Sequence, residues 1–446
     1  MLAAMLISIC FCTGTDDEPT WPRFRGTGGS GSVSRLEFPD RWDGEKNVVW
    51  KATLPGGGWS SPIVADDLVI VTAAIAPQLA QSLSFRDGVA KPESMGRGGE
   101  KPTRPVTFLV VGLDLGSGET RWTKMLASEI PAHPIHPSNT YATETAATDG
   151  ERIFVYFGGI GLVAALDLKG EELWRRDIGA YPMQADFGTG SSLVTDGKRV
   201  FVTCDNEEES FLVALDAATG EESWRASRPR GSAWSTPTLW QDGDRTVLVS
   251  SGATHVTAHD PATGEVAWKL TGYPGSFTAS PAVSEERLYV GASGPMSRGP
   301  LLALPRGLEG ELDLGEEGEA LAWRNDRCGP GMASPVEHRG RLYVIASAGI
   351  VDCYDASTGE RLFKGRLPEA ANVTASLWAA GDRVFILDEA GKTFVLKDGP
   401  VLEILHTNEI DDLFWSTPSM AGDRLLLRGA KAVYCIGAKK EAGEGK

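Results

Sequence analysis

The sequence predicts an all-β protein, an eight-bladed β-propeller closed by an N-terminal strand that completes the last blade. Three observations lead there. A phrase built on a Ser/Thr-Pro step recurs eight times with a period of about 42 residues, a second phrase, A-x-D-x-x-T-G-x-x-x-W, follows it in most repeats, and one outer-strand sequence stands unpaired ahead of the first repeat. Periods of 20–50 residues mark solenoids and propellers, in which each repeat is one supersecondary unit.

The N-terminal residues 1–11 are almost wholly apolar. Small residues follow, with Cys12 and Gly14 at the −3 and −1 positions of a cleavage site, although no Lys or Arg precedes the run. Residues 1–14 therefore read as a signal peptide, and the protein as exported to the periplasm or another extracytoplasmic space. Residues 15–46 form an N-terminal extension. Residues 47–54 (NVVWKATL) are the unpaired outer-strand sequence.

The repeats begin at Ser61-Pro62, which leads through a polar turn into DDLVIVTAA. Full copies follow at Thr236-Pro237 (DRTVLVSSG), Ser280-Pro281 (ERLYVGASG), Ser334-Pro335 (GRLYVIASAG) and Thr417-Pro418 (DRLLLRG). Weaker copies stand at Thr145-Ala146 (ERIFVYFGG), Ser191-Ser192 (KRVFVTCDN) and Ala375-Ser376 (DRVFILDEAG). The prolines and their equivalents, at 62, 146, 192, 237, 281, 335, 376 and 418, lie 41–46 residues apart in five of seven steps. The two long steps are insertions, 76–105 in the first repeat and 308–319 in the fifth.

The second phrase is complete in residues 214–224 (ALDAATGEESW) and 258–268 (AHDPATGEVAW), and recognisable in 112–122, 165–174 and 353–363. Its chemistry is local. Asp caps a turn through its carboxylate, Thr adds a hydroxyl bond, and Gly takes the positive φ of the reversal. Trp then falls on the outermost strand, free to pack on the next sheet, which gives a reason for 13 Trp in the chain. The eighth repeat lacks this turn and its final strand. Residues 47–54 supply the missing strand, so the propeller spans 47–437 and closes without exposed sheet edges. A disordered tail, 438–446, remains.

Composition limits the function. Lys plus Arg number 43 against 60 Asp plus Glu, a net charge of −17, so nucleic acid is excluded as a partner. No apolar stretch reaches the length of a transmembrane span. Six cysteines without a CxxC or a Cys/His cluster exclude a disulfide scaffold and a zinc site. Cys204, Cys353 and Cys435 read as small buried hydrophobes.

The phrase A-x-D-x-x-T-G-x-x-x-W resembles the tryptophan-docking repeat of pyrroloquinoline-quinone-type β-propellers, over residues 21–437. That superfamily includes quinone-dependent alcohol and glucose dehydrogenases, an outer-membrane assembly lipoprotein that is a non-catalytic scaffold, and uncharacterised exported members. The opening Trp21-Pro22-Arg23-Phe24-Arg25-Gly26, followed by NVVWK, is similar to this last group. The resemblance implies either a scaffold or a dehydrogenase with pyrroloquinoline quinone and calcium. Two departures favour the scaffold: the adjacent cysteines found beside the quinone in many of those enzymes are absent, and no segment matches the contexts of their catalytic Asp or calcium-binding Glu and Asn. No catalytic residue, metal or cofactor is therefore assigned. The expected function is an exported, non-catalytic, monomeric propeller binding protein, peptide or a small ligand. A quinoprotein oxidoreductase and an enzyme acting on extracellular carbohydrate are the alternatives.

Ligand contacts are expected at the channel mouth, from loops that enter the innermost strands. Trp59, Trp234 and Trp415 occupy one place in repeats one, four and eight, each in W-S-[ST]-P. They read either as an aromatic floor for a ligand or as packing residues. Residues 133–144 (HPIHPSNTYATE) bring Asn139, Tyr141 and Glu144 to the mouth of the second blade. His133 and His136 are each followed by Pro, which denies them a shared helix face and a metal site. Arg327 is a candidate anion contact ahead of the sixth repeat. The run DNEEES at 205–210 reads as a solvated hairpin tip.

Overall fold

The computed structural model describes residues 20–76, 101–273, 278–294, 297–314, 321–346, 349–430 and 432–438. The expected signal peptide, most of the first insertion, part of the second and nearly all of the tail lie outside them. Eight antiparallel sheets of four core strands follow one another in chain order. Blade one runs Ile63–Ala65, Leu68–Ile75, Val106–Asp114 and Thr120–Glu129 from the channel outward. Blade eight takes three strands from the C-terminus, Ser419–Ala421, Arg424–Arg428 and Val433–Ile436, and its outermost from Val48–Ala52. That last pair is antiparallel, with Trp50 opposite Cys435. The ring is closed as the unpaired N-terminal strand predicted.

The two middle strands of a blade are sandwiched between neighbouring sheets, so they need apolar residues on both faces. RIFVYF (Arg152–Phe157) and FLVALD (Phe211–Asp216) are buried along nearly their whole length. Outer strands face solvent on one side, and Glu222–Ser227 alternates exposed with half-buried residues. Cys204, Cys353 and Cys435 are buried, and burial raises the Cys204 thiol to about 11 and the other two to about 12.

The turn phrase folds as its chemistry requires. The Asp216 carboxylate accepts the N–H groups of Ala218 and Thr219, at 3.0 and 2.9 Å, and the Thr219 hydroxyl at 3.1 Å. Gly220 has φ 72°, and a Cβ there would stand 2.5 Å from the Trp174 ring of the preceding blade. Glycine thus serves the reversal and leaves room for the docked indole. Trp174 also donates its ring N–H to Ala217 O at 3.0 Å. Trp122, Trp224 and Trp323 each donate to a turn carbonyl of the next blade in the same way, at 3.0 Å. Trp50, on the closing strand, does so to Leu115 O of blade one at 2.7 Å. Docking of this kind accounts for only part of the Trp content. Trp268 is fully buried, but the next blade has an insertion where its acceptor turn would be. From that insertion, Gly310–Asp313 adds a fifth, parallel strand along Val266–Thr271, with Gly310 opposite Trp268.

The Ser/Thr of the first phrase joins blade to blade around the axis. The backbone N–H of Ser61 donates to the Thr145 hydroxyl at 2.9 Å, and Thr145 N–H to Ser192 at 2.9 Å. The chain of bonds continues through Thr236, Ser280, Ser334 and Ser376 to Thr417. It shows that in blades three and seven the bonded hydroxyls, Ser192 and Ser376, put Leu193 and Leu377 in the proline place, one residue beyond the positions assigned from sequence. The last joint is made differently: Ser416 Oγ and Arg428 Nη1 both donate to Ser60 O at 3.0 Å.

The N-terminal extension occupies the channel. Trp21 pairs with Val64 of blade one, Pro22 O accepts Thr148 N–H of blade two, and Ser32–Val33 lies parallel to the inner strand of blade seven. Ser32 Oγ meets His338 Nδ1 of blade six at 2.7 Å. The chain then passes along blade seven, where Phe38 and Trp42 pack on Phe385 and Asp40 O receives bonds from His406 and Asn408, before it becomes the closing strand. Residues 20–46 are thus a plug and a strap.

The solvated tip expected at 205–210 is a correction. Asp205 and Asn206 are buried, and Asp205 forms an enclosed two-point ion pair with Arg228, at 2.7 and 3.0 Å. Glu207 accepts bonds from Ser232, and only Glu208 and Glu209 are exposed. An arginine 23 residues further on, itself needing a counter-charge, draws the head of the acidic run inward.

Candidate functional site

The mouth is built by the loops that enter the innermost strands, at the end of the channel away from the docking turns. Trp59 and Trp415 come from adjacent blades and stack, ring centroids 6.0 Å apart and planes 26° apart. Trp59 is buried and donates its indole N–H to Ser138 O at 2.8 Å. Ser138 Oγ lies 2.6 Å from His136 Nδ1, and the His136 ring is 5.2 Å from Phe187. Phe187 stands edge-on to Trp234 at 6.0 Å, and Trp234 donates to Gly188 O at 2.7 Å. The result is an aromatic arc, Trp415, Trp59, His136, Phe187 and Trp234, running from blade eight to blade four. Phe187 is 37% exposed, while Trp234 and Trp415 are half-buried.

The predicted polar residues are placed differently. Asn139 Nδ2 donates to Phe187 O and Thr189 O, both at 2.9 Å, while its Oδ1 accepts from Thr140 N and Thr143 Oγ1, both at 2.7 Å. It holds the loops that carry the arc. Tyr141 is buried in a left-handed conformation, φ 58°, with its hydroxyl donating to His133 O at 3.0 Å, and burial raises its pKa. Glu144 is buried too. Its carboxylate accepts Gly158 N–H at 3.2 Å and the Thr189 hydroxyl, and burial pushes its pKa up against those bonds. Arg327 is exposed ahead of blade six, with φ 58°. The structure therefore stacks Trp59 on Trp415, places Trp234 at the far end of the arc, and sets His136 and Phe187 between them.

Phe187 carried a signal that the tryptophan pattern hid. It is an aromatic in the loop ahead of blade three, a blade whose step has no W-S-[ST]-P.

A calcium-held quinone would need several oxygen ligands converging on the ion. Here the Asn139 amide and the Glu144 carboxylate are taken up by bonds to neighbouring segments, Asn139 to Phe187 and Thr189 and Glu144 to Gly158 and Thr189. Among the described residues, no group of three or more His, Cys, Asp and Glu side chains converges as a metal site would require. These residues do not fit that pair. Also among the described residues, no helix is long and apolar enough to cross a membrane.

The fold and its docked tryptophans define a propeller of the quinoprotein-like class. Within that class, the family model described as outer membrane protein assembly factor BamB matches residues 106–238, 159–306 and 309–408, and the chain belongs to this family. No curated protein matches the chain. Among solved structures, a europium-containing methanol dehydrogenase is similar at 12% identity and a TM-score of 0.62, covering 93% of this chain and 90% of its own. The quinohemoprotein alcohol dehydrogenase of Comamonas testosteroni gives 12% and 0.58, covering 96% and 82%. The C-terminal WD40 domain of Sif2 gives 11% and 0.53, covering 92% and 100%. Enzymes and a WD40 domain alike share the shape, so this likeness speaks to fold alone.

Proposed function

We propose that the protein is an exported, non-catalytic propeller that serves assembly at the cell envelope, binding a protein or peptide across its mouth. The aromatic arc carries this reading. Flat aromatic surface held by rigid loops is the kind of surface on which binding energy concentrates, because it offers large contact area with few rotamers to freeze. Asn139 and the indole N–H bonds already order the arc, so little entropy is lost when a partner settles on it. Family membership supports the same reading through the assembly role in the family's description.

A photo-crosslinking residue placed at 187 in the intact cell envelope tests the proposal. Its control is the same residue at position 197, in a turn at the other end of the propeller. Specific protein adducts from 187 and none from 197 are expected, whereas equal adducts from both positions would remove the mouth as the binding surface. Reconstitution with pyrroloquinoline quinone and calcium tests the rival. Dye reduction by the loaded protein, lost on chelation, would replace the scaffold reading with an oxidoreductase.

A further inference from the structure

Arg23 and Arg25 of the plug lie in the channel, where it meets blades three to five. They are 8% and 1% exposed. Their guanidinium groups are held by carbonyls. Arg23 Nε donates to Gly26 O at 3.3 Å and Nη2 to Thr27 O at 2.5 Å. Arg25 Nη1 donates to Pro281 O at 2.9 Å, and Nη2 to Ser30 O at 2.8 Å and to Pro335 O. Buried Arg228 pairs with Asp205 and half-buried Arg298 with Asp352, whereas buried Arg428, like the plug arginines, is held by Ser60 and Thr72. Among the described residues neither Arg23 nor Arg25 has a carboxylate partner, and burial alone acts on their pKa values, drawing them to about 10 and about 9. An arginine in a protein nonetheless keeps its proton at neutral pH. Two positive charges therefore sit inside a molecule of net charge −17, and buried charge without a counter-charge is costly.

A small cavity adjoins them. Thr236, Thr238 and Ser280 of the inner strands complete its polar lining. The hydroxyl oxygens of Thr236 and Ser280 already accept N–H bonds from Ser192 and Thr236, which leaves their protons to donate. Thr238 Oγ1 and Arg25 Nε are buried and have no hydrogen-bond partner among the described residues. The lining side chains thus offer donors, and none is acidic. Side chains of this kind suit an anion, which uses donors only.

We propose that this cavity binds a small monovalent anion of halide size, chloride above all, which neutralises the plug arginines and pins the N-terminal segment in the channel. Full-length protein is melted in sodium chloride and in sodium gluconate at equal ionic strength. An anion bound only by the folded state raises the midpoint, here by roughly 2–4 °C in chloride. Thr238→Val, which keeps shape and removes a donor, should abolish most of the difference; Arg25→Met should do the same where it folds. Crystals soaked in bromide should show anomalous density beside Arg25 and Thr238. Equal midpoints in the two salts, a chloride effect that Thr238→Val leaves unchanged, or a cavity without bromide would overturn the proposal.

Discussion

Trp268 and Trp224 occupy the same place in consecutive full copies of the turn phrase but not the same surroundings. Trp224 is half-buried and bonded to Pro261 O, while Trp268 is enclosed by the inserted strand and its indole nitrogen has no hydrogen-bond partner among the described residues. Truncating a fully buried large aromatic costs about 3–5 kcal/mol. Trp268→Ala should lose that much in denaturant unfolding and Trp224→Ala distinctly less; equal losses would mean that the insertion does not pack as described. A second expectation concerns acid. Burial lowers His255 to about 3 and His259 to about 4, with Arg228 pushing the same way on both. Both histidines are neutral in the folded state at pH 7. As pH falls below the ordinary value near 6.5, the unfolded chain takes up protons first, so their stabilisation is complete above that value and is lost towards pH 4. Each contributes up to about 1.4 kcal/mol per pH unit. His255→Asn should flatten the acid limb of a melting-temperature profile, and an unchanged slope would show that the histidine is charged in the native protein. The tryptophans of the mouth were legible because W-S-[ST]-P repeats. Whether Asn139, Tyr141 and Glu144 faced outward was not, since that depends on loop geometry such as the φ of Tyr141.

At the scale of elements, the blades were readable because their needs are local: an Asp and a Gly for a turn, a Trp for the next sheet. The hydroxyl belt was readable only in outline. Its spacing recurs, but the one-residue offset in blades three and seven lies in bonds to neighbouring blades, which a single repeat does not contain. Each bond satisfies a backbone N–H buried near the axis, and leaving such a donor unpaired costs about 1–3 kcal/mol. Ser376→Ala should therefore destabilise by that amount through the N–H of Ser334, which donates to Ser376 Oγ at 3.2 Å. Ser357→Ala, on an exposed turn, serves as the comparison. Similar losses in both would mean that the belt contributes no more than surface turns do.

For the molecule as a whole, the plug was the part that sequence could not show. Arg25 meets carbonyls 256 and 310 residues away, and carbonyls carry no side-chain signature. The closing strand was visible because it is an outer strand lacking a blade. The two contributions of the N-terminal segment separate by deletion. Removing residues 1–14 should leave melting unchanged, and removing 1–46 should lower the midpoint but keep a cooperative transition. Removing 1–54 should abolish cooperative folding, and a wild-type melt for that deletion would contradict closure by Val48–Ala52. The same strand sets an order in time. Val48–Ala52 leaves the ribosome before blade one and Val433–Ile436 only after seven further blades, so the first must wait, unpaired, while all of them are synthesised. Pairing over such a distance is slow, and until Val433–Ile436 arrives the newborn protein is an open arc with a sheet edge at each end. A message truncated ahead of the codons for Val433–Ile436 would then yield not a slightly shorter propeller but an unclosed one, left for proteases to clear.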